Sequence, residues 1–130
     1  MKQRYIRKET YGIEEVLAQS VPSNTRANLC RVDWDGDLIK MNSQRYEVFK
    51  HKGTTCVACG LKGVFFAKER DQATPTYHFN LYAVNEQGED VLMTKDHIVP
   101  RSLSGPDRLE NYQPMCTDCN REKGIDIVAY

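Results

Sequence analysis

The sequence predicts an α+β fold, and three observations carry that expectation. Strand-like stretches are separated by turn signals, and short helical stretches come with caps. The two kinds mix without the strand–helix–strand alternation that builds a parallel sheet. Four of the five cysteines fall into two Cys-x-x-Cys pairs, which suit a small fold stapled by metal. With 130 residues the chain has one domain's length and buries roughly two-thirds of its unfolded surface, so its core is modest.

Taken in order, Ile13 to Ala18 reads as a short helical turn, ended by the turn-forming cluster Ser20 to Asn24. Arg31 to Met41 alternates around Asp35-Gly36, a strong hairpin signal between Val32 and Trp34 on one side and Leu38 and Ile39 on the other. Ser43 is placed to cap a helix running through Tyr46, Val48 and Phe49 to Lys52, with Gly53 as its stop. Tyr77 to Val84, the loop Asn85 to Gly88 and then Glu89 to Thr94 form a second, longer hairpin. In it Phe79, Leu81 and Ala83 face one way and His78, Asn80 and Tyr82 the other. A loop with Pro100, Gly105 and Pro106 follows, and a short helix around Asp118 to Lys123 ends at Gly124.

Charge is balanced overall, 18 Lys and Arg against 18 Asp and Glu, which at first argues against a nucleic-acid binder. The distribution is uneven. Lys2, Arg4, Arg7 and Lys8 open the chain without an acid among them. Arg45, Lys50, Lys52, Lys62, Lys68 and Arg70 outnumber Glu47 and Glu69 in the next block, whereas Asp71 to Asp90 holds four acids and no Lys or Arg. Such blocks are either ordinary solvated faces or phosphate contacts. No apolar run approaches the ~20 residues of a membrane helix, and no apolar stretch follows the basic start. Membrane, secreted, collagenous and disordered classes are therefore not expected, and a cytoplasmic setting is.

The cysteine pairs are Cys56 with Cys59 and Cys116 with Cys119. Two residues between thiols let both sulfurs reach one tetrahedral zinc ion, about 2.3 Å from each. Gly60 permits the backbone turn that the first knuckle needs. Disulfides are disfavoured by the odd count and the lack of an export signal, and a redox Cys-x-x-Cys would explain one pair alone. Cys30 is expected to be a small buried residue. Four thiolates on one Zn²⁺ leave two negative charges, so the metal-loaded protein is slightly acidic. Any phosphate binding then relies on placed cations.

Between the knuckles lie Asp96-His97-Ile98-Val99-Pro100-Arg101, then Asn111, then Cys116-Thr-Asp-Cys119-Asn120-Arg-Glu-Lys123. Each element alone is an ordinary surface or turn feature. Together, as Asp-His-Ile-x-Pro, a Gly-bearing loop, Leu-x-Asn and Cys-x-x-Cys-Asn-x-x-Lys, they resemble the HNH endonuclease family. The similarity is to its branch with two Cys-x-x-Cys knuckles flanking a ββα-metal (His-Me finger) motif. It spans Cys56 to Gly124, about half the chain, and is dense from Asp96 to Lys123.

That resemblance implies an α+β, ββα-metal motif stapled by a four-cysteine zinc site in residues 43–130, preceded by a helix and hairpin extension over residues 1–42. It implies phosphodiester hydrolysis on DNA, as nicking or double-strand cleavage, with His97 as general base and a divalent ion on Asp96 and Asn120. Asn111 would hold the loop between the strands, completing a catalytic set of Asp96, His97, Asn111 and Asn120. Lys123 and Arg101 would meet phosphates, and His78 is a further candidate for DNA contact. The family's final His is replaced by Asn120, and oxygen donors favour Mg²⁺ or Mn²⁺ over Zn²⁺ there. The cofactors expected are thus structural Zn²⁺ and catalytic Mg²⁺ or Mn²⁺, the partner is DNA with no membrane, and the chain acts as monomer or homodimer, of phage or bacterial type. One ion per chain cuts one strand at a time. A catalytically silent zinc-ribbon module that binds nucleic acid is the alternative, and a structural or inhibitory protein reusing the fold is a third.

Overall fold

Asp35 and Gly36 both take positive φ, 52° and 97°, so the two-residue turn has the twist that a tight hairpin needs. It joins β2 (Arg31–Trp34) to β3 (Asp37–Lys40). The computed structural model describes residues 5–128, so Lys2 and Arg4 lie outside the described residues. The helices expected at each side of this hairpin are present, as α1 (Ile13–Ala18) and α2 (Gln44–Lys52). Ser43 caps α2 by accepting a bond from the Arg45 amide at 3.2 Å, and Gly53 ends it at φ 91°. Lys50, His51 and Lys52 in the last turn oppose the negative end of the helix dipole.

The main sheet has five antiparallel strands in the order β1-β4-β5-β6-β7. They are β1 (Tyr5–Tyr11), β4 (Gly63–Asp71), β5 (His78–Val84), β6 (Asp90–His97) and β7 (Tyr112–Cys116). The fold is α+β as expected, and one apolar core runs through it. Val16, Trp34, Ile39 and Met41 from the first third of the chain pack with Phe49, Phe66, Phe79, Leu81 and Met93. Trp34 stands edge-on to Phe79 with ring centres 4.9 Å apart. The stretch read as an N-terminal extension thus shares this core and supplies the sheet's edge strand.

Two strands escaped the sequence reading, β1 and β4, and the reason is the same for both. β4 ends in Lys68-Glu69-Arg70-Asp71, which looks solvated, yet Lys68 and Glu69 are fully buried. Lys68 reaches Glu9 and Asp37 at 2.7 Å each and the Trp34 carbonyl at 2.7 Å. Burial alone would lower the Lys68 pKa, but the ion pairs with Asp37 and Glu9 outweigh it and raise the group. On the opposite face Glu69 accepts from Arg7 at 2.7 Å, Asn80 at 2.8 Å and Tyr82 at 2.7 Å, and Arg7 also meets Asp90 at 2.9 Å. Arg7 and Lys8 of the basic start are therefore held by acids of the fold, Lys8 by Asp37 at 3.2 Å. The same network covers Asn80 and Tyr82, so both faces of β5 are buried from Phe79 to Ala83.

The last helix, α3, runs Thr117–Val128 and passes through Gly124 instead of stopping there. A glycine inside a helix costs only about 1 kcal/mol, and no proline follows it to end the helix. No helix among the described residues is long and apolar enough to cross a membrane.

Replacing Glu69 by Ala leaves the buried amide of Asn80 and hydroxyl of Tyr82 without their acceptor and Arg7 without its inner partner. Chemical denaturation of E69A should show a loss of about 3 kcal/mol or more. A change within about 0.5 kcal/mol, as at ordinary surface sites, would show that this network is dispensable.

Candidate active site

The site grows from the β6–β7 pair and the helix that follows. These strands pair from Met93 opposite Cys116 to His97 opposite Tyr112, so Asp96 and His97 sit at the open end of the ladder. Neighbouring strand residues point to opposite faces, which sends the two side chains different ways. Asp96 turns inward and is 7% exposed. Its Oδ2 accepts from Gln113 Nε2 at 3.0 Å and pairs with Lys123 Nζ at 2.5 Å, and the same ammonium reaches the His97 carbonyl. Lys123, read from the sequence as a phosphate contact, is thus engaged with the carboxylate.

His97 lies towards solvent. Its Nε2 is 2.7 Å from Asp107 Oδ1, and its ring stands edge-on to Tyr112 with centres 4.8 Å apart. The bond to His97 holds the Asp107 carboxyl below the usual carboxylate range. The Tyr112 hydroxyl lies within reach of Gln44 Oε1 at 3.3 Å and Asp107 Oδ1 at 3.4 Å, and Gln44 Nε2 donates to the Asp107 carbonyl at 3.4 Å. Lys95 donates to Gln44 Oε1 at 2.9 Å and stacks over the Tyr112 ring at 4.1 Å. Asp107, Gln44 and Tyr112 had no signal in the sequence beyond an acid following Gly105-Pro106, because Gln44 arrives from a helix far earlier in the chain.

Asn111 ties down the loop that separates the strands. Its Oδ1 accepts the Val99 amide at 2.8 Å, its Nδ2 donates to the carbonyls of Val99 at 3.0 Å and Pro106 at 2.9 Å, and its own carbonyl accepts the Ile98 amide at 2.7 Å. Asn120, early in α3, donates from Nδ2 to Thr94 Oγ1 at 3.0 Å, and Thr94 in turn donates to the Met115 carbonyl. That bond orients the amide and leaves its carbonyl oxygen as an acceptor. Asp96, His97, Arg101 and Asn120 line one open cleft of about 310 Å³, with Lys95, Pro100 and Gly124. Arg101 is exposed and 3.9 Å from Asp107. His78 is not among the cleft residues; it lines a separate groove on the other side of α2's first turn.

Behind the cleft the four cysteines converge. The Sγ atoms of Cys56, Cys59, Cys116 and Cys119 all lie within 4.8 Å of one another, and Cys59 and Cys116 are 3.9 Å apart. Thiolates sharing a tetrahedral zinc stand about 3.8 Å apart, so the donor set and its spacing fit one ion. Cys30 is buried and stands outside the cluster. The first knuckle turns at Gly60, φ 79°, with its amide on the Cys56 carbonyl at 2.9 Å, and the Val57 amide reaches across to the Pro114 carbonyl of β7 at 3.1 Å. Burial raises the Cys56 thiol, but the amides of Cys116, Cys59 and Ala58 outweigh it and bring it to about 6, whereas burial and neighbouring thiols hold Cys116 and Cys119 high. The Cys56 thiolate is favoured without an ion, whereas Cys116 and Cys119 need one to ionise.

Gly105 is the loop's tightest point: a Cβ there would lie 1.7 Å from the Val99 carbonyl oxygen and 2.8 Å from that of Pro100. In Gly105→Ala the loop must rebuild, and the Val99 amide, bound to Asn111, should exchange its hydrogen much faster while β4 and β5 amides keep their rates. Unchanged exchange at Val99 would show that the loop accommodates the methyl.

Residues 85–125, about a third of the chain, match the family model described as HNH endonuclease. Neither the curated proteins nor the solved structures give a match to the chain. The matched segment contains Asp96, His97, Asn111, Asn120 and the second knuckle. The similarity to the HNH endonuclease family is thus confined to residues 85–125, the segment that carries the cleft.

Proposed function

We propose that the chain is a metal-dependent DNA endonuclease whose reaction takes place in the cleft of Asp96, His97 and Asn120. The observation that carries this reading is the division of labour there. Two hard oxygen donors lie on one side of β6, and an imidazole held by a carboxylate lies on the other. Asp96 keeps Oδ1 and Asn120 keeps its carbonyl oxygen clear of hydrogen-bond donors among the described residues. Those two oxygens would hold a Mg²⁺ or Mn²⁺ ion, whose charge offsets that of the scissile phosphate and the departing 3′-oxygen.

A neutral His97 that donates Nε2–H to Asp107 leaves Nδ1 with a lone pair. That nitrogen accepts a proton from water as the water oxygen bonds to phosphorus. The P–O3′ bond breaks, leaving a 5′-phosphate and a 3′-hydroxyl once the 3′-oxygen takes a proton from solvent. Asp107 is the positioning residue that fixes the ring. Asn111 acts one step further back, holding the loop that presents Asp107. Lys123 neutralises Asp96 in the structure, so its ammonium and a divalent ion are rivals for that carboxylate, and Arg101, exposed beside Asp107, is placed to meet a phosphate.

The four thiols are read as a structural zinc centre, consistent with their spacing and with the need of a modest core for a further restraint. Metal analysis of the purified chain should return one zinc, and Cys59→Ser should lower it and the thermal midpoint together. A full-length chain that folds without zinc would remove this part.

Nicking of supercoiled plasmid with Mg²⁺ tests the reaction. His97→Ala should slow it by about 10² or more, the contribution of a general base, and Asp107→Ala by a smaller factor. Equal rates in wild type and His97→Ala, or no nicking by either, contradict the reading and favour a binding module.

A further inference from the structure

The groove that His78 lines, about 530 Å³, lies between the β2–β3 hairpin, the start of α2 and the segment leading into β5. Three cations line it, Arg31, Lys40 and Arg45, and no acid does. Arg31 and Lys40 are directly opposite each other in the hairpin register, both exposed. Like charges in that arrangement destabilise a hairpin. Neither has an ion-pair partner among the described residues, although acids neutralise Arg7, Lys8 and Lys68 nearby. Arg45 is different: it is half-buried and anchored. β5 and β6 pair only where Tyr82 to Val84 meet Asp90 to Leu92, and the Arg45 guanidinium fills the opening beyond, donating to Asn80 Oδ1 and the Phe79 carbonyl at 3.0 Å each. Two of its five N–H groups are used there, and the rest remain for a ligand. Tyr77 adds an aromatic face.

One turn of α2 separates this groove from the active-site cleft. Gln44 bonds to Lys95 and Asp107 on the cleft side, while its neighbours Ser43 and Arg45 line the groove. We propose that the groove is a second phosphate-binding tract, in which Arg31, Lys40 and Arg45 hold the backbone of the DNA strand that continues from the cleft. It rests on the proposed reading for the identity of the strand, and it supplies the placed cations that a chain of zero net charge needs to hold DNA. Nothing in the matched segment, residues 85–125, contributes to it. Burial and the Arg45 charge lower the His78 pKa, so at neutral pH this residue offers a hydrogen bond and no charge.

The test is fluorescence anisotropy with a labelled duplex across a salt series, with Ca²⁺ in place of Mg²⁺ to prevent cutting. Arg31→Gln/Lys40→Gln should weaken binding and flatten the plot of log K against log salt by about 1.8, two phosphate contacts' worth. Lys50→Gln/Lys62→Gln, two exposed lysines outside the groove, removes the same charge and should leave the slope near that of wild type. Equal binding by wild type and Arg31→Gln/Lys40→Gln, or equal loss in both double variants, overturns the tract. Plasmid nicking by the wild type is scored separately. Absence of nicking with the groove effect intact would retract the nuclease reading and keep the binding tract, whereas nicking with no groove effect does the reverse.

Discussion

Four sulfurs within 4.8 Å of one another bring together two parts of the chain that are far apart in sequence, beside the 3.1 Å bond from the Val57 amide to the Pro114 carbonyl. One part is the knuckle between α2 and β4, closed by the Thr55–Lys62 bridge and the turn at Gly60. The other is the junction where β7 becomes α3, with Cys116 at the strand's end and Cys119 in the helix's first turn. Since α3 carries Asn120 and Lys123, a metal held by these sulfurs would set where those side chains meet Thr94 and Asp96 on β6. Without an ion, burial and neighbouring thiols disfavour ionising Cys116 and Cys119, and the spacing of the four sulfurs fits a bound metal.

The remainder of the fold compensates for a small apolar core with buried polar pairs. Lys68 and Glu69, adjacent on β4, face opposite sides, and each is satisfied by partners from the start of the chain. Lys68 ties the β2–β3 hairpin and β1 to the sheet; Glu69 ties β1 and β5 through Arg7, Asn80 and Tyr82. This polar bracing places the hairpin over one end of the sheet, and with it the Arg31–Lys40 pair beside Arg45. Cleft and groove meet at the first turn of α2, where Gln44 bonds to Lys95 and Asp107 on one side and Ser43 and Arg45 line the groove on the other.

Local signals in the sequence were enough for α1, the Asp35-Gly36 hairpin, α2 with both its caps, the β5–β6 hairpin and the two knuckles. In each, the decisive residue acts on its own backbone: Ser43 on Arg45, Gly53 and Gly36 through positive φ. β1 and β4 were illegible because their charged residues pair across the chain, and a buried Lys68 has the same letters as a solvated one. Gly124 misled in the other direction, since a glycine ends a helix only when the next residues favour leaving it. Within the site, Asp96, His97, Asn111 and Asn120 were legible as a pattern, whereas Asp107 and Gln44 depend on a loop and a helix that only the fold brings together.

If the thiol clamp governs the cleft, its loss must be felt there first. Amide hydrogen exchange of Cys119→Ala against the metal-loaded wild type measures this directly. Protection should fall in α3, in β7 and at the 54–62 knuckle, while β4 and β5, held by Lys68 and Glu69, keep theirs. Unchanged protection in α3, or an equal loss throughout the sheet, would contradict the claim that the clamp positions the helix bearing Asn120 and Lys123.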